Sequence, residues 1–105
     1  MKLDRNLNYQ AAGKYALLHL RRVRASMTPE VSAAITVLDK AGLIEWGRIG
    51  EQDEFFAIKL KDENADVALY SYAAKAALKD TEYAAEVTAM ADRSGQNSPF
   101  CKEPD

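Results

Sequence analysis

The residues best suited to chemistry in this chain are basic ones near its N-terminal end. The cluster comprises Lys14, Arg21, Arg22 and Arg24. On one helix, the seven-residue spacing of Lys14 and Arg21 places both side chains on the same face. Guanidinium groups bind phosphate oxygens, and aromatic rings stack on bases. With Tyr9 or Tyr15 nearby, the cluster therefore predicts a site for a phosphate-bearing ligand.

The same arginines also have a structural explanation. At the end of a helix, cations complement the negative end of the helix dipole, by ~0.3–1 kcal/mol each. Residues 1–50 carry eight Lys and Arg against four Asp and Glu, whereas residues 51–105 carry six against twelve. Such a dipolar chain can pair its own halves or join subunits head to tail. Ligand binding and charge pairing both stay open.

Catalytic and metal-binding patterns are missing from the sequence. His19 is the only histidine and Cys101 the only cysteine, so neither a Cys/His metal site nor a thiol redox pair can be assembled. A catalytic base needs a partner within hydrogen-bond reach, and the sequence indicates no such partner for His19. Glycine-rich phosphate loops and nucleophile elbows are also lacking. We expect no enzyme activity, no catalytic residues, no metal and no cofactor.

The composition is typical of one globular domain. The chain has 105 residues, of which 48% are hydrophobic, and a formal net charge of −2, which argues against nucleic acid as its main partner. No apolar run approaches the about 20 residues of a membrane span, and no secretory signal follows Met1. A single cysteine fits a reducing compartment. We expect a cytoplasmic protein with one domain over residues 1–95 and an irregular tail over 96–105.

Helix signals divide the chain into four helices. Thr28 and Pro29 open the second helix and Gly42 ends it, while Asp80 is placed to cap the fourth. The predicted spans are Tyr9–Ala25, Val31–Ala41, Asp62–Lys79 and Thr81–Ser94. The apolar stripe of the second helix consists of Val31, Ala34, Ile35, Leu38 and Ala41. That of the fourth consists of Tyr83, Ala84, Val87, Met90 and Ala91.

Two short segments between the second and third helices alternate between apolar and polar residues. They lie around Leu43–Trp46 and Glu54–Leu60, separated by a polar loop that is long enough for an open hairpin. We predict a two-stranded antiparallel ribbon, with its apolar face packed on the helices. The predicted fold class is therefore α+β, mostly α: four helices with a ribbon between the second and the third.

The third helix is apolar on most of its circumference. Its polar side chains in the body of the helix lie in one stripe, formed by Ser71, Lys75 and Lys79. A helix of this kind is either central in the fold or shared with a partner. We predict a homo-oligomer whose subunit contact is formed by Leu69, Tyr70, Tyr72, Ala73 and Ala76.

The second helix and the ribbon resemble the reading helix and wing of winged-helix regulators. The match is Leu38-Asp39-Lys40-Ala41-Gly42-Leu43-Ile44, and it implies a small DNA-binding regulator as the alternative function. The exposed face of this helix carries no arginine and the wing tip, Glu51–Glu54, is acidic, so phosphate contacts are opposed. Only one long helix precedes the supposed reading helix, whereas the family has a further short one. Nucleic acid is therefore not favoured as a partner.

The C-terminal half resembles the end of small uncharacterised proteins from tailed phages and prophages. The resemblance lies in Glu54–Asp62, Glu82–Val87 and the tail Ser98-Pro99-Phe100-Cys101-Lys102-Glu103-Pro104-Asp105. It implies a phage accessory protein in a bacterial cytoplasm, and no site residue is transferred by it. Such proteins commonly bind a host factor or sequester a signalling nucleotide. We therefore expect a non-enzymatic, oligomeric binding protein for host modulation or defence evasion.

Overall fold

A computed structural model describes residues 15–104 of the chain. This range contains four α-helices and one short 3₁₀ helix: α1 (Leu20–Ala25), α2 (Pro29–Lys40), α3 (Ala65–Ala76), α4 (Thr81–Ala91) and the 3₁₀ helix Gly95–Asn97. The described residues form two compact units, 15–56 and 57–104. None of these helices has the length and apolar character needed to cross a membrane.

Both ends of α2 are capped as the sequence predicts. The Thr28 hydroxyl accepts a hydrogen bond from the Val31 N–H at 3.1 Å. At the other end, Gly42 has a φ of 74°, and the Leu43 N–H donates to the Leu38 carbonyl at 3.0 Å. This is the left-handed glycine cap that satisfies the last carbonyls of a helix.

The first helix is shorter than predicted. Residues 9–14 lie outside the described range, and the segment 15–19 is not helical. His19 stands at the N-cap without a side-chain hydrogen bond, and α1 buries none of its residues. An isolated helix shorter than about 12–15 residues is marginal without packing. The periodic pattern therefore predicted a longer helix than the one found, and in the described residues helix begins only at Leu20.

The predicted ribbon was wrong, because residues 43–59 form no strand. The only bridge within residues 15–104 joins Asp62 and Lys102. The backbone bonds between the two alternating segments are turn bonds, from Glu51 N–H to Arg48 and from Glu54 N–H to Glu51, each 3.1 Å. A two-stranded ribbon is stable only when its apolar face is covered, and no side chain of these segments is buried.

Side-chain contacts hold residues 43–59 in place, rather than a ladder of backbone hydrogen bonds between strands. The Trp46 indole N–H donates to the Asp39 carboxylate at 2.8 Å, which ties the segment to α2. The ring of Phe55 packs on Gly47, whose φ is 68°; a Cβ there would lie 2.5 Å from the ring. Side-chain contacts of this kind leave no trace in a local alternating pattern.

The unit of residues 15–56 has no hydrophobic core of its own. None of its residues is buried, and the predicted apolar stripe of α2 is covered only in part. Val31 and Ile35 are half-buried, whereas Leu38 is exposed. Burial of apolar surface is the dominant stabilising term in folding. This unit therefore gains little stabilisation from apolar burial within its described residues.

The second unit is built on the contact between α3 and α4. Its buried hydrophobic side chains are small, with one valine among alanines: Ala65, Ala73, Ala84, Val87 and Ala91. The spacing of Ala84, Val87 and Ala91 is the predicted stripe of α4, and it is confirmed. Small side chains let two helices approach closely, since interaxial distance depends on the residues at the contact.

Hydrogen bonds fix both ends of α4. Asp80 caps its start as predicted, accepting from the Tyr83 N–H at 3.0 Å. At its end, the Ala91 carbonyl accepts from the N–H and the hydroxyl of Ser94, at 3.0 and 2.8 Å, and from the Asn97 amide at 3.3 Å. Ser94 is fully buried. These bonds join α4 to the 3₁₀ helix.

The C-terminal segment returns to the start of the unit. The Gly95 N–H donates to the Leu60 carbonyl at 2.7 Å, and the Lys102 N–H donates to the Lys61 carbonyl at 2.9 Å. The Glu63 N–H completes the bridge with a 2.9 Å bond to the Lys102 carbonyl. Residues 98–104 contain no helix, but they are tied to the segment that leads into α3.

Candidate functional site

Two tyrosines form a fixed aromatic pair on the surface of α3 and α4. The rings of Tyr72 and Tyr83 meet edge to face, with centroids 6.2 Å apart and planes at 70°. Their hydroxyl oxygens lie 3.1 Å apart and share a hydrogen bond. Edge-to-face contacts stabilise aromatic pairs by about 0.5–1.5 kcal/mol beyond burial. The contacts with Tyr83 hold the ring of Tyr72 in place. Because Tyr72 is 53% exposed, a ligand can still reach this ring.

A depression of about 370 Å³ adjoins this pair, at the C-terminal end of α3. It is lined by Tyr72, Lys75, Ala76, Leu78 and Lys79. The lining residues recur at three- and four-residue steps, so they lie on one face of the helix and its final turn. Leu78 is 80% exposed. An apolar floor with two ammonium groups can hold an anion that also carries an apolar or planar part.

A second tyrosine of α3 joins a polar network across the unit. The Tyr70 hydroxyl donates to the Asp92 carboxylate at 2.5 Å, and the Asn97 amide donates to the Tyr70 oxygen at 3.4 Å. The hydrogen bond to Asp92 raises the pKa of Tyr70, and desolvation raises it further. The hydrogen bond to Tyr72 and then desolvation raise the pKa of Tyr83. Both phenols are therefore held in the neutral form.

The two raised pKa values predict that alkali destabilises this unit. A tyrosine whose pKa is higher in the folded state stabilises the fold below its unfolded pKa of about 10 and loses that contribution as the pH rises further. We expect NMR titration of the ring carbons to show Tyr70 and Tyr83 ionising later than a free tyrosine. Asp92→Ala should lower the midpoint of Tyr70 and leave that of Tyr83 in place. Equal midpoints for Tyr70 before and after the substitution would refute the assigned cause.

The structure describes only part of the predicted phosphate site. Tyr9 and Lys14 lie outside the described residues. Arg21, Arg22 and Arg24 are exposed on α1, with two of them in its last turn. Tyr15 is exposed and lies outside α1. Because residues 15–19 are not helical, the seven-residue spacing does not place Lys14 and Arg21 on one continuous helix. Ligand binding at the arginines stays a prediction.

The residues predicted to form the subunit contact have several different environments. Ala73 is buried, and Leu69 and Ala76 are half-buried. Tyr70 and Tyr72 are exposed, although their hydroxyl groups are bonded within the unit. Much of the apolar circumference of α3 is therefore explained by α4. Whether this helix also contacts another subunit stays a prediction.

Residues 15–56 carry more exposed large apolar side chains than residues 57–104 do. Eleven large apolar side chains of this unit are exposed: Tyr15, Leu17, Leu18, Leu20, Met27, Val37, Leu38, Leu43, Ile49, Phe55 and Phe56. Contiguous apolar patches above a few hundred Å² mark interaction sites in soluble proteins. This surface is a candidate for binding another protein chain.

No catalytic or metal-binding arrangement is found within residues 15–104. His, Cys, Asp and Glu side chains of this range do not gather in groups of three that could hold a metal ion. Cys101 is a free, exposed thiol. His19 is exposed at the start of α1. Among residues 15–104, neither side chain has a hydrogen-bond partner.

Sequence reasoning missed the depression and the tyrosine pair. In the sequence, Lys75 and Lys79 are only part of the polar stripe of the third helix, and Tyr72 and Tyr83 are separated by a helix end and a cap. The four-residue spacing of the lysines was the one available signal. Comparisons of the chain with protein-family models, curated proteins and solved structures find no match.

Proposed function

We propose that this chain is a non-enzymatic binding protein that acts as an oligomer. The setting is the one that its resemblance to phage accessory proteins implies, with host modulation or defence evasion as the purpose. Its target is then a host factor or a phosphate-bearing signalling nucleotide. The single observation that carries the proposal is the exposed apolar surface of residues 15–56, a unit without one buried residue.

The size of this surface supports association with another chain. Eleven large apolar side chains of this unit are exposed, and one partner of a standard protein interface contributes about 800 Å². At about 25 cal/mol per Å² of apolar area, covering even half of such an area is favourable enough to offset much of the cost of association. We propose a second copy of this chain as the usual occupant.

The alternative of a winged-helix DNA reader is not carried forward. It requires a ribbon to act as the wing, and residues 43–59 contain no strand. Within residues 15–104, only α1 precedes α2, whereas the family has a further short helix before its reading helix.

A pair of matched substitutions tests the proposed contact. Phe56 is 88% exposed in the first unit and Phe100 is 74% exposed in the second, so neither supports the fold of the single chain. We expect Phe56→Glu to lower the molar mass measured by light scattering after size exclusion, because a carboxylate cannot be buried unpaired. Phe100→Glu is the control and should leave the mass unchanged. The proposed surface is wrong if Phe56→Glu keeps the full oligomer while Phe100→Glu dissociates it.

A further inference from the structure

We propose that the depression at the end of α3 binds a nucleotide, with the base on Tyr72 and the phosphates on Lys75 and Lys79. The inference rests on the nucleotide branch of the proposed function and assigns its site to α3 rather than to the arginines of α1. The juxtaposition that carries it is an exposed aromatic ring held by a neighbouring ring, beside two ammonium groups that have no partner among residues 15–104 and beside apolar side chains.

The two lysines have no other role in the described structure. Within residues 15–104, neither ammonium group forms a hydrogen bond or an ion pair. Capping of the helix is not needed either. The carbonyls of Ala73, Lys75 and Ala76 already accept backbone bonds from the turn that follows, at 2.9 to 3.2 Å. Their positive charge is therefore available to a ligand.

The tyrosine pair prepares the aromatic side of the site. An exposed tyrosine ordinarily loses rotamer freedom when a base stacks on it. Tyr72 is already fixed by the ring and the hydroxyl of Tyr83, so less of that cost remains at binding. Base stacking on aromatic side chains tolerates any base, because each base has a π-face. This side of the site selects for a planar group.

The lysines orient the ligand. Lys75 lies three residues after Tyr72 on α3, and Lys79 lies in the turn that follows the helix. A nucleoside diphosphate contacts both the aromatic and the cationic side of the site when its base covers Tyr72 and Leu78 and its phosphates reach the lysines. Free phosphate contacts only the lysines, and a nucleoside contacts only the aromatic side.

NMR titration of the full chain with adenosine diphosphate tests the site directly. We expect the largest chemical-shift changes at Tyr72, Lys75, Leu78 and Lys79, with weaker binding of adenosine and of inorganic pyrophosphate. Lys75→Gln combined with Lys79→Gln should weaken binding by about tenfold or more, the loss expected for removing charge-assisted hydrogen bonds. Lys59→Gln removes an exposed lysine outside the depression and should change the affinity by less than about twofold.

Three outcomes would overturn the inference, and they separate it from the proposed function. Shifts centred on α1 that vanish in an Arg21→Gln, Arg22→Gln, Arg24→Gln variant would keep nucleotide binding but move the site. Pyrophosphate binding as tightly as the nucleotide would remove the stacking role of Tyr72. No shift at millimolar nucleotide would remove the nucleotide branch while leaving oligomerisation untouched.

Discussion

Replacing Gly95 with alanine is expected to destabilise residues 57–104 by about 3 kcal/mol or more. Gly95 is buried with a φ of 54°, in the left-handed region that costs any other residue free energy. An added Cβ would also lie 2.8 Å from the Asp66 backbone nitrogen and 2.6 Å from its carboxyl carbon. The backbone atom cannot move aside without disturbing the start of α3. The loss is large against the 5–15 kcal/mol of a typical domain.

Urea denaturation followed by far-UV circular dichroism measures this loss. Gly42→Ala is the matched control, because Gly42 has a φ of 74° but no atom lies within 4 Å of an added Cβ. It should cost about 1 kcal/mol, from backbone strain alone. Combining Gly95→Ala with Asp66→Ala should recover only part of the loss, because the backbone nitrogen remains. Similar losses for Gly95→Ala and Gly42→Ala would show that the close approach of Gly95 to α3 is not as described.

Replacing Ala91 with leucine is the second substitution with a large expected effect. Ala91 is fully buried where α4 packs on α3. Its carbonyl accepts three hydrogen bonds from the turn and 3₁₀ helix that follow. Three extra carbon atoms would push the helices apart and strain these bonds. Overpacking of this kind costs about 1–3 kcal/mol, and we expect a value near the upper end.

Ala89→Leu provides the control on the same helix. Ala89 is exposed, so the larger side chain meets solvent, and leucine is as good a helix former as most residues. Its free energy of unfolding should change by less than about 0.5 kcal/mol. Thermal and urea unfolding of both variants would settle the comparison. Equal stability of the two would mean that α3 and α4 do not pack through small residues at this point.

Features specified by neighbouring residues were predictable from the sequence. Thr28 and Gly42 cap α2, and Asp80 caps α4, through hydrogen bonds that span at most five residues. The buried stripe of α4 follows from helical periodicity, because its partner α3 is adjacent in sequence. Each of these features can be predicted without information about the rest of the fold.

Features that depend on distant residues were not predictable in the same way. The alternation around Leu43–Trp46 and Glu54–Leu60 predicts a ribbon, yet a two-stranded ribbon is stable only when a further surface covers it. The bridge between Asp62 and Lys102 joins residues forty positions apart. The depression likewise depends on Tyr83, which fixes Tyr72 from another helix. Local periodicity contains no information about such contacts.

The exposed apolar side chains of residues 15–56 favour association with another chain. A unit that buries none of its residues gains little from the hydrophobic effect within one chain. Contact with a second copy would supply the missing burial, and the stability of the unit would then depend on protein concentration. Binding of a host factor would use the same kind of surface, so assembly and target binding would compete or be coupled.

Light scattering coupled to size exclusion, on the unmodified chain at several concentrations, tests this claim most directly. We expect a molar mass of at least twice the 11.6 kDa of one chain, falling towards the monomer only at high dilution. A constant monomer mass at tens of micromolar, the range of an ordinary weak homodimer, would contradict oligomerisation through this surface.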